Sequence, residues 1–356
     1  MRKFLKFVTL FLAVTLIVPI VTSCSEEKTE TSKADTAALT AELTACEAVL
    51  ASATTADYPQ EAIDAFKKVV AAVKAGLGKN PTQSEVDNML KQLQEAKAAF
   101  LAAAFDALPL NQMVCAWDFE TAGDNLVSNG TKGWTAVLKQ GPAEIFGTDT
   151  QKPQVTEGVH GGKALSFDKG AHLEIADFTQ ADLLKDELSI SAWVKPTKTV
   201  AGNYIISLNY WNTFKLNLQS ENKPFFTVAT ENGIIDADNE MPQSVKENEW
   251  AHLVIVMSYK SHSLTFYVNG EKTKVWDETG KPQLASNKWA ADYASPTGKK
   301  LPLLIGACTT YEEASTWDWF SPTNEWDCFH GSIDQIKLFT VALTDGQVKK
   351  LYNDEK

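Results

Sequence analysis

Between positions 34 and 106 apolar residues recur at helical spacing. Leu39, Leu43, Cys46 and Leu50 make one stripe, Ile63, Phe66, Val70, Val73 and Leu77 a second, and Val86, Leu90, Leu93 and Phe100 a third. Recurrence every three to four residues predicts three amphipathic helices. The punctuation agrees: Pro59 stands where a first-turn proline is tolerated, Gly76 and Gly78 close the second segment, and Thr82 with Glu85 fits a capping box. Three such helices joined by short turns bury one stripe from each, so 34–106 reads as a helical bundle. Residues 107–112, containing Ala107-Leu108-Pro109, are the linker, because proline stops a helix and disfavours it at the preceding residue.

From Met113 onward the pattern changes. Val, Ile, Thr, Phe, Tyr and Trp come in short runs separated by Gly, Asn, Asp and Pro, which is strand punctuation. Strands are predicted over 113–119, 163–167, 172–175, 188–195, 204–208, 214–218, 225–229, 252–258, 264–268, 303–306 and 332–339. In Leu264-Thr265-Phe266-Tyr267-Val268 the alternate residues Leu264, Phe266 and Val268 should face a core, and Asn269-Gly270 then supplies a tight hairpin turn into a return strand over 272–276. So many strands and so few helices imply a mainly β fold, a two-sheet antiparallel sandwich over 113–356 preceded by the small three-helix bundle.

The first residues stand outside this plan. Arg2, Lys3 and Lys6 form a basic head, an apolar run follows, and Val21-Thr22-Ser23-Cys24 is a small-residue cleavage region, so 1–23 reads as an export signal. The chain of 356 residues carries a formal net charge of −12, and loss of that head makes the remainder more acidic still. Nucleic acid is therefore excluded as a partner, since its binding needs clustered Lys and Arg. No later stretch approaches the length of a membrane span. Val-Thr-Ser-Cys looks like a bacterial lipobox, and the resemblance implies acylation of Cys24, with 24–33 as a flexible, polar tether. Ser25-Glu26-Glu27 resembles the acidic export signal of Bacteroidota surface lipoproteins. The expected location is the cell outer membrane, lipid-anchored and surface-exposed, with the membrane engaged only through the anchor.

Two further resemblances concern the folded parts. Tyr58-Pro59-Gln60-Glu61-Ala62-Ile63, Val86-Asp87 and Leu93-Gln94-Glu95-Ala96 are similar to the small FIVAR-like helical modules of bacterial surface proteins, which implies a spacer or attachment role. Glu157-Gly158-Val159-His160-Gly161-Gly162-Lys163-Ala164-Leu165-Ser166-Phe167 and Leu188-Ser189-Ile190-Ser191-Ala192-Trp193-Val194-Lys195-Pro196 resemble successive signatures of LamG-like, concanavalin A-like jelly rolls. Trp250-Ala251-His252-Leu253-Val254 with Phe266-Tyr267-Val268-Asn269-Gly270 is similar to a third, and Phe329-His330-Gly331-Ser332-Ile333-Asp334-Gln335-Ile336 to the closing strand. The resemblance implies a jelly-roll sandwich, a scaffold that carries lectins, adhesion modules, structural domains and some glycosidases.

Candidate chemistry is sparse. The laminarinase-type strand Glu-x-Asp-x-x-Glu, which sets nucleophile and acid on one face, is absent; its nearest match, Asp236, Asp238 and Glu240, reads as an exposed polar strand end. No Ser-His-Asp context, phosphate loop or zinc spacing occurs, so no enzyme and no cofactor is expected. Asp334 is expected beside Ile336 and Leu338 as a buried acid, and a structural calcium bridging it to Asp118 and Glu120 is the one metal reading weighed. His160, His252, Trp193 and Trp250 read as structural. The loop 309–327 gathers Tyr311, Trp317, Trp319, Phe320 and Trp326 with Asp318, Asn324, Glu325 and Asp327, a mixture able to stack on a sugar ring and bind its hydroxyls. Trp211 beside Tyr210, and Trp289 with Tyr293, are further candidates on loops. Cys308 and Cys328 flank the loop and are expected to pair, closing about 20 residues for about 3 kcal/mol, with a Cys115 pairing as the alternative. The function expected is non-catalytic carbohydrate binding through Trp317, Trp319, Trp326, Tyr311, Asp327 and Trp211. A protein-binding or structural adhesion module is the alternative, and a glycoside hydrolase the third choice.

Overall fold

The computed structural model describes residues 33–121, 123–290, 300–317 and 328–356. Helices α1 (Ala37–Ser52), α2 (Gln60–Leu77) and α3 (Gln83–Ala102) form the N-terminal bundle. Its core is built from the three stripes read in the sequence, with Leu39, Cys46, Phe66, Val73, Val86 and Leu93 all buried. Phe100 stacks on Tyr58 and Phe66 with ring centroids 4.2 and 4.8 Å apart. The capping box forms, the Thr82 amide donating to Glu85 Oε2 at 2.7 Å and the Glu85 amide to Thr82 Oγ1 at 3.4 Å. An odd number of antiparallel helices puts chain entry and exit at opposite ends. At the entry end the Asp35 amide donates to Gln83 Oε1 at 2.8 Å, and at the exit end the Phe105 amide donates to the Asp57 carbonyl at 2.9 Å. With α3 at 20 residues, those ends lie about 30 Å apart.

The remainder consists, in order, of β1 (Met113–Trp117), β2 (Asn125–Val127), β3 (Thr135–Lys139), α4 (Ala143–Phe146), β4 (Gln154–Glu157), β5 (Lys163–Phe167), β6 (His172–Ile175), α5 (Gln180–Leu183), β7 (Glu187–Pro196), β8 (Asn203–Leu208), β9 (Phe214–Gln219), β10 (Lys223–Thr230), β11 (Gly233–Asp238), β12 (Ala251–Ser258), β13 (Ser263–Val268), β14 (Glu271–Asp277), β15 (Leu303–Ile305), α6 (Tyr311–Ala314), β16 (Gly331–Phe339) and α7 (Asp345–Glu355). They form two eight-stranded antiparallel sheets, β14-β13-β12-β7-β16-β5-β4 with β1 added on β16, and β11-β10-β9-β8-β15-β6-β3-β2. Alternation fixes what each sheet buries: Phe214, Leu216 and Leu218 of β9 and Leu264 and Phe266 of β13 enter one shared core. The Asn269-Gly270 turn has φ of 52° and 75°, the left-handed pair that a tight hairpin requires.

Each outer face carries its own cover. Over the first sheet, Val348 and Leu351 of α7 pack on Val254, Val256, Tyr267 and Phe339. The same helix meets the bundle: Lys350 Nζ pairs with Asp57 Oδ1 at 2.9 Å, Thr344 Oγ1 donates to Asp106 at 2.7 Å, and Gln347 Nε2 donates to the Ala107 carbonyl at 2.9 Å. Over part of the second sheet, Ala314 of α6 packs with Tyr204, Tyr210, Leu304, Cys308 and Cys328.

Several expectations are corrected. Strands β2, β3, β4 and β11 lie where none was predicted. Trp289 is a core residue, packed against Phe214 and Tyr259 with its Nε1 donating to the Lys185 carbonyl at 2.7 Å, so it lines no groove. Asp334 does not share a face with Ile336 and Leu338: β1 and β5 divide one edge of β16, and at the handover a bulge with Gln335 at φ 49° breaks the alternation. No disulfide forms among the described residues. Cys328 is bridged to Ala307, so Cys308 sits one residue out of register with it, and the expected Cys308–Cys328 pairing is not formed in this structure. Cys115 is fully buried in the core, where desolvation pushes its thiol well above the ordinary range.

Candidate functional site

Among the described residues, the outer face of β8–β11 carries a depression on the second sheet. Because Phe214, Leu216 and Leu218 face the core, Lys215, Asn217 and Gln219 face outward. Cross-strand register then assembles two rungs: Ser207, Lys215, Thr227 and Asp236 on one, and Tyr204, Asn217, Phe225 and Asp238 on the next. A depression of about 290 Å³ opens over them, lined among others by Tyr204, Trp211, Lys215, Asn217, Phe225 and Asp236.

One wall comes from the turn between β8 and β9. Asn209 and Tyr210 both adopt φ of 55°, and Tyr210-Trp211-Asn212 forms one 3-10 turn. Asparagine enters the left-handed region readily, whereas an aromatic residue there is uncommon and is held by its surroundings. Here the result is to bury Tyr210 against Tyr204, centroids 5.5 Å apart, and to stand Trp211 edge-on to Tyr210 at 3.7 Å, with 36% of Trp211 exposed.

Lys215 sits at the centre. It is 4% exposed, its Nζ donates to Tyr204 Oη at 3.2 Å, and it lies 4.9 to 5.5 Å from the ring centroids of Tyr204, Tyr210, Trp211 and Phe225. Attraction between the ammonium and the ring faces holds the aromatic wall in place. Asn217 is buried; its Nδ2 donates to the Leu218 carbonyl at 3.2 Å, and its Oδ1 meets no donor among the described residues. At the rim, Asp236 is exposed and accepts from Thr227 Oγ1. Ring faces, an ammonium and a carboxylate thus border one concave surface, the combination that recognises a molecule with an apolar face and polar edges.

The structure brings two of the sequence candidates to this place. Trp211 forms the wall, and Trp317 lies beside it, its ring 5.5 Å from Tyr210. Tyr311 is half-buried at the start of α6, and Cys308 and Cys328 pack beneath. Trp319, Trp326 and Asp327 lie outside the described residues, as do Cys24 and Tyr293. Tyr204, Lys215, Asn217 and Phe225 are not among the sequence candidates, and Asp236 is named there only as an exposed polar strand end. The signal available was Phe225-Phe226, where one ring must face outward, opposite Lys215 and Asn217 on the polar phase of the neighbouring strand.

The acids weighed for catalysis and calcium are engaged elsewhere. Asp238 pairs with Lys223 at 3.0 Å, and Glu240 pairs with Lys274. Asp334 Oδ2 accepts from the Val159 amide at 3.1 Å, so close to the turn that a Cβ at Gly158 would stand 2.7 Å from it. Burial pushes this carboxyl up to about 6, against the Val159 and Gln335 amides that favour its charge, with Glu120 raising it further. Glu120 accepts from the Lys163 amide at 2.9 Å, whereas Asp118 turns to the Asn129 side chain. Among the described residues no three His, Cys, Asp or Glu converge as metal ligands.

The opposite face, under α7, also gathers aromatic and charged groups, but it is closed. Trp193, His252 and Tyr352 cluster with near-parallel rings, Trp193 Nε1 donates to Glu355 Oε2 at 2.9 Å, and Lys337 Nζ pairs with Glu355 Oε1. His252, fully buried beside Ser191 Oγ at 2.8 Å, is pushed down to about 3 by desolvation and then by the Lys337 charge. This imidazole is neutral and structural.

Comparison with known proteins gives the following. Residues 167–349 match the family model Laminin_G_3, described as the concanavalin A-like lectin/glucanases superfamily. No curated protein matches the chain. Among solved structures, domain 4 of AbnA, an extracellular arabinanase of Geobacillus stearothermophilus in complex with arabinotriose, is 15% identical with a TM-score of 0.46, over 68% of this chain and 98% of that one. The CBM40 of the Ruminococcus gnavus IT-sialidase, bound to α2,3-sialyllactose, is 13% identical with a TM-score of 0.40, over 53% and 95%. The ligand-binding domain of botulinum neurotoxin serotype D, in complex with N-acetylneuraminic acid, is 14% identical with a TM-score of 0.44, over 69% of this chain and 51% of that one. The chain thus spans about half of that toxin domain's length. The functional reading rests on this chain's own residues.

Proposed function

Because the chain belongs to the concanavalin A-like lectin/glucanases superfamily, we propose that it is a non-catalytic carbohydrate-binding protein, held at the outer face of the outer membrane by an acylated Cys24. The observation that carries this reading is the aromatic-walled depression on β8–β11, with Trp211 offered to solvent by the left-handed Asn209-Tyr210 pair. Binding rather than hydrolysis is favoured by the acids of 236–240, where Asp238 and Glu240 are held in ion pairs with lysines.

The bundle suits a spacer. The tether enters about 30 Å from the exit end, where Asp57 meets α7. Since α7 covers the first sheet and the depression opens on the second, the binding face is turned away from the side to which the bundle is fixed.

A glycan array probed with the purified chain tests the function. Binding that is lost in Trp211→Ala with an unchanged melting temperature supports it. Absence of binding to any glycan returns the protein to the adhesion class. The anchor has its own test: Cys24→Ala should abolish incorporation of a labelled fatty acid and release the protein from the membrane fraction.

A further inference from the structure

Granted that the depression holds carbohydrate, the reading on which this inference rests, its electrostatics select among carbohydrates. We propose that the site receives a single uncharged pyranose unit and rejects uronate, sialylated and sulfated sugars. Three observations combine. First, the lysine is present but covered: Lys215 is 4% exposed, engaged with Tyr204 Oη and surrounded by four aromatic rings. An anion needs a cation whose N–H groups it can reach, preferably two at once, and an ammonium recessed behind rings offers at most one. Second, among the described residues the charged group that reaches the rim exposed is a carboxylate, Asp236. Its free lone pairs accept from a sugar hydroxyl and repel a sugar carboxylate or sulfate. Third, the neighbouring lysines are committed. Lys223 pairs with Asp238, Lys274 with Glu240, and Lys281 donates to the Asp236 carbonyl while lying 4.8 Å from the Trp276 ring centroid. The chain's net charge of −12 adds long-range repulsion of anionic polymers.

Size sets the other limit. A space of about 290 Å³ lies at the small end of ligand sites and matches one sugar ring, not a run of linked ones. The ring would lay its C–H face on Trp211 and turn a hydroxyl toward Asp236, donating to its carboxylate. That geometry asks for a terminal or branch residue of a neutral glycan.

The test is calorimetric titration of the purified full chain with matched pairs of oligosaccharides differing only in an acidic substituent, at about 0.05 and about 0.5 M NaCl. The expected result is at least tenfold preference for the neutral member, with affinity changing less than about twofold between the two salts. Asp236→Asn should narrow the preference by improving the acidic member. Tighter binding of the acidic member, falling about tenfold at the higher salt and lost in Lys215→Met, would overturn the inference while leaving carbohydrate binding intact. The salt series on the unaltered chain decides the matter even if Lys215→Met fails to fold. No heat with either member of any pair, and none on an array, would remove the carbohydrate reading itself and this inference with it.

Discussion

The two outer faces of the sandwich are built from similar side chains and put to opposite uses. On the first sheet, Trp193, Tyr352 and His252 cluster, and the chain itself supplies the carboxylate that joins them to Lys337, Glu355 of α7. On the second, Lys215 stands among Tyr204, Tyr210, Trp211 and Phe225, and a depression is left above it. One aromatic cluster is plugged by its own C-terminal helix and serves stability. Among the described residues the other borders a depression in which Trp211 stays 36% exposed. Composition alone does not separate a core satellite from a site; the cover does.

The largest expected effect breaks the closed face. Trp193→Ala removes a stacked, 3% exposed ring and takes the indole donor from Glu355 Oε2, so it should cost about 3–5 kcal/mol, read as a lower denaturation midpoint with an unchanged slope. Carbohydrate affinity of the folded fraction should not move. Trp211→Ala on the open face should do the reverse, lowering affinity about thirtyfold, as for a central aromatic contact, with less than about 1 kcal/mol of stability lost. If both variants lose stability equally, the contrast between the faces fails.

A subtler test uses pH. His252 has a folded pKa of about 3, below its unfolded value, so the native state binds fewer protons and stability falls as pH drops through the unfolded value near 6.5 toward 3. Asp334, raised to about 6 from 3.8, works in the other direction: its contribution is fully present below 3.8 and is lost as pH rises through 6. Between pH 4 and 6 the two oppose each other. Asp334→Asn should therefore steepen the loss of stability on acidification, measured as melting temperature across that range. An unchanged pH profile would show that Asp334 titrates as an ordinary surface acid.

How much of this could be read from the chain follows from what each element demands. The helical stripes and the long strands were legible because burial on one face imposes a period, 3.6 through Leu39, Leu43 and Cys46 and 2 through Leu264, Phe266 and Val268. Strands β2 and β4 were not, because they are short edge strands; β4 buries no residue fully and β2 only Leu126, so neither carries a period. β11 is only partly legible, because its outward Asp236 and Asp238 read as no more than an exposed polar strand end. The site suffered from the same cause at longer range. Trp211 was visible as an aromatic in a polar turn, but Lys215, Asn217, Phe225 and Asp236 become neighbours only through the register of three strand pairs, a relation between segments that no local pattern encodes.

The smallest effect concerns how firmly the bundle is fixed to the closed face. Lys350 and Asp57 form a partly exposed pair, the Asp57 side chain 49% accessible, so Lys350→Ala should cost the sandwich less than about 1 kcal/mol. Its consequence lies in the connection. The pair works alongside the Thr344–Asp106 and Gln347–Ala107 hydrogen bonds to clamp the linker against α7. Lys350→Ala combined with Thr344→Val removes two of the three, and segment 107–112 should then be cut faster by protease while the melting temperature barely shifts. Unaltered cleavage would mean that the bundle is held by the apolar contacts of Leu108 and Met113 with the cluster of Tyr267 and Phe339, and that its placement on the sandwich is set by packing, not by charge.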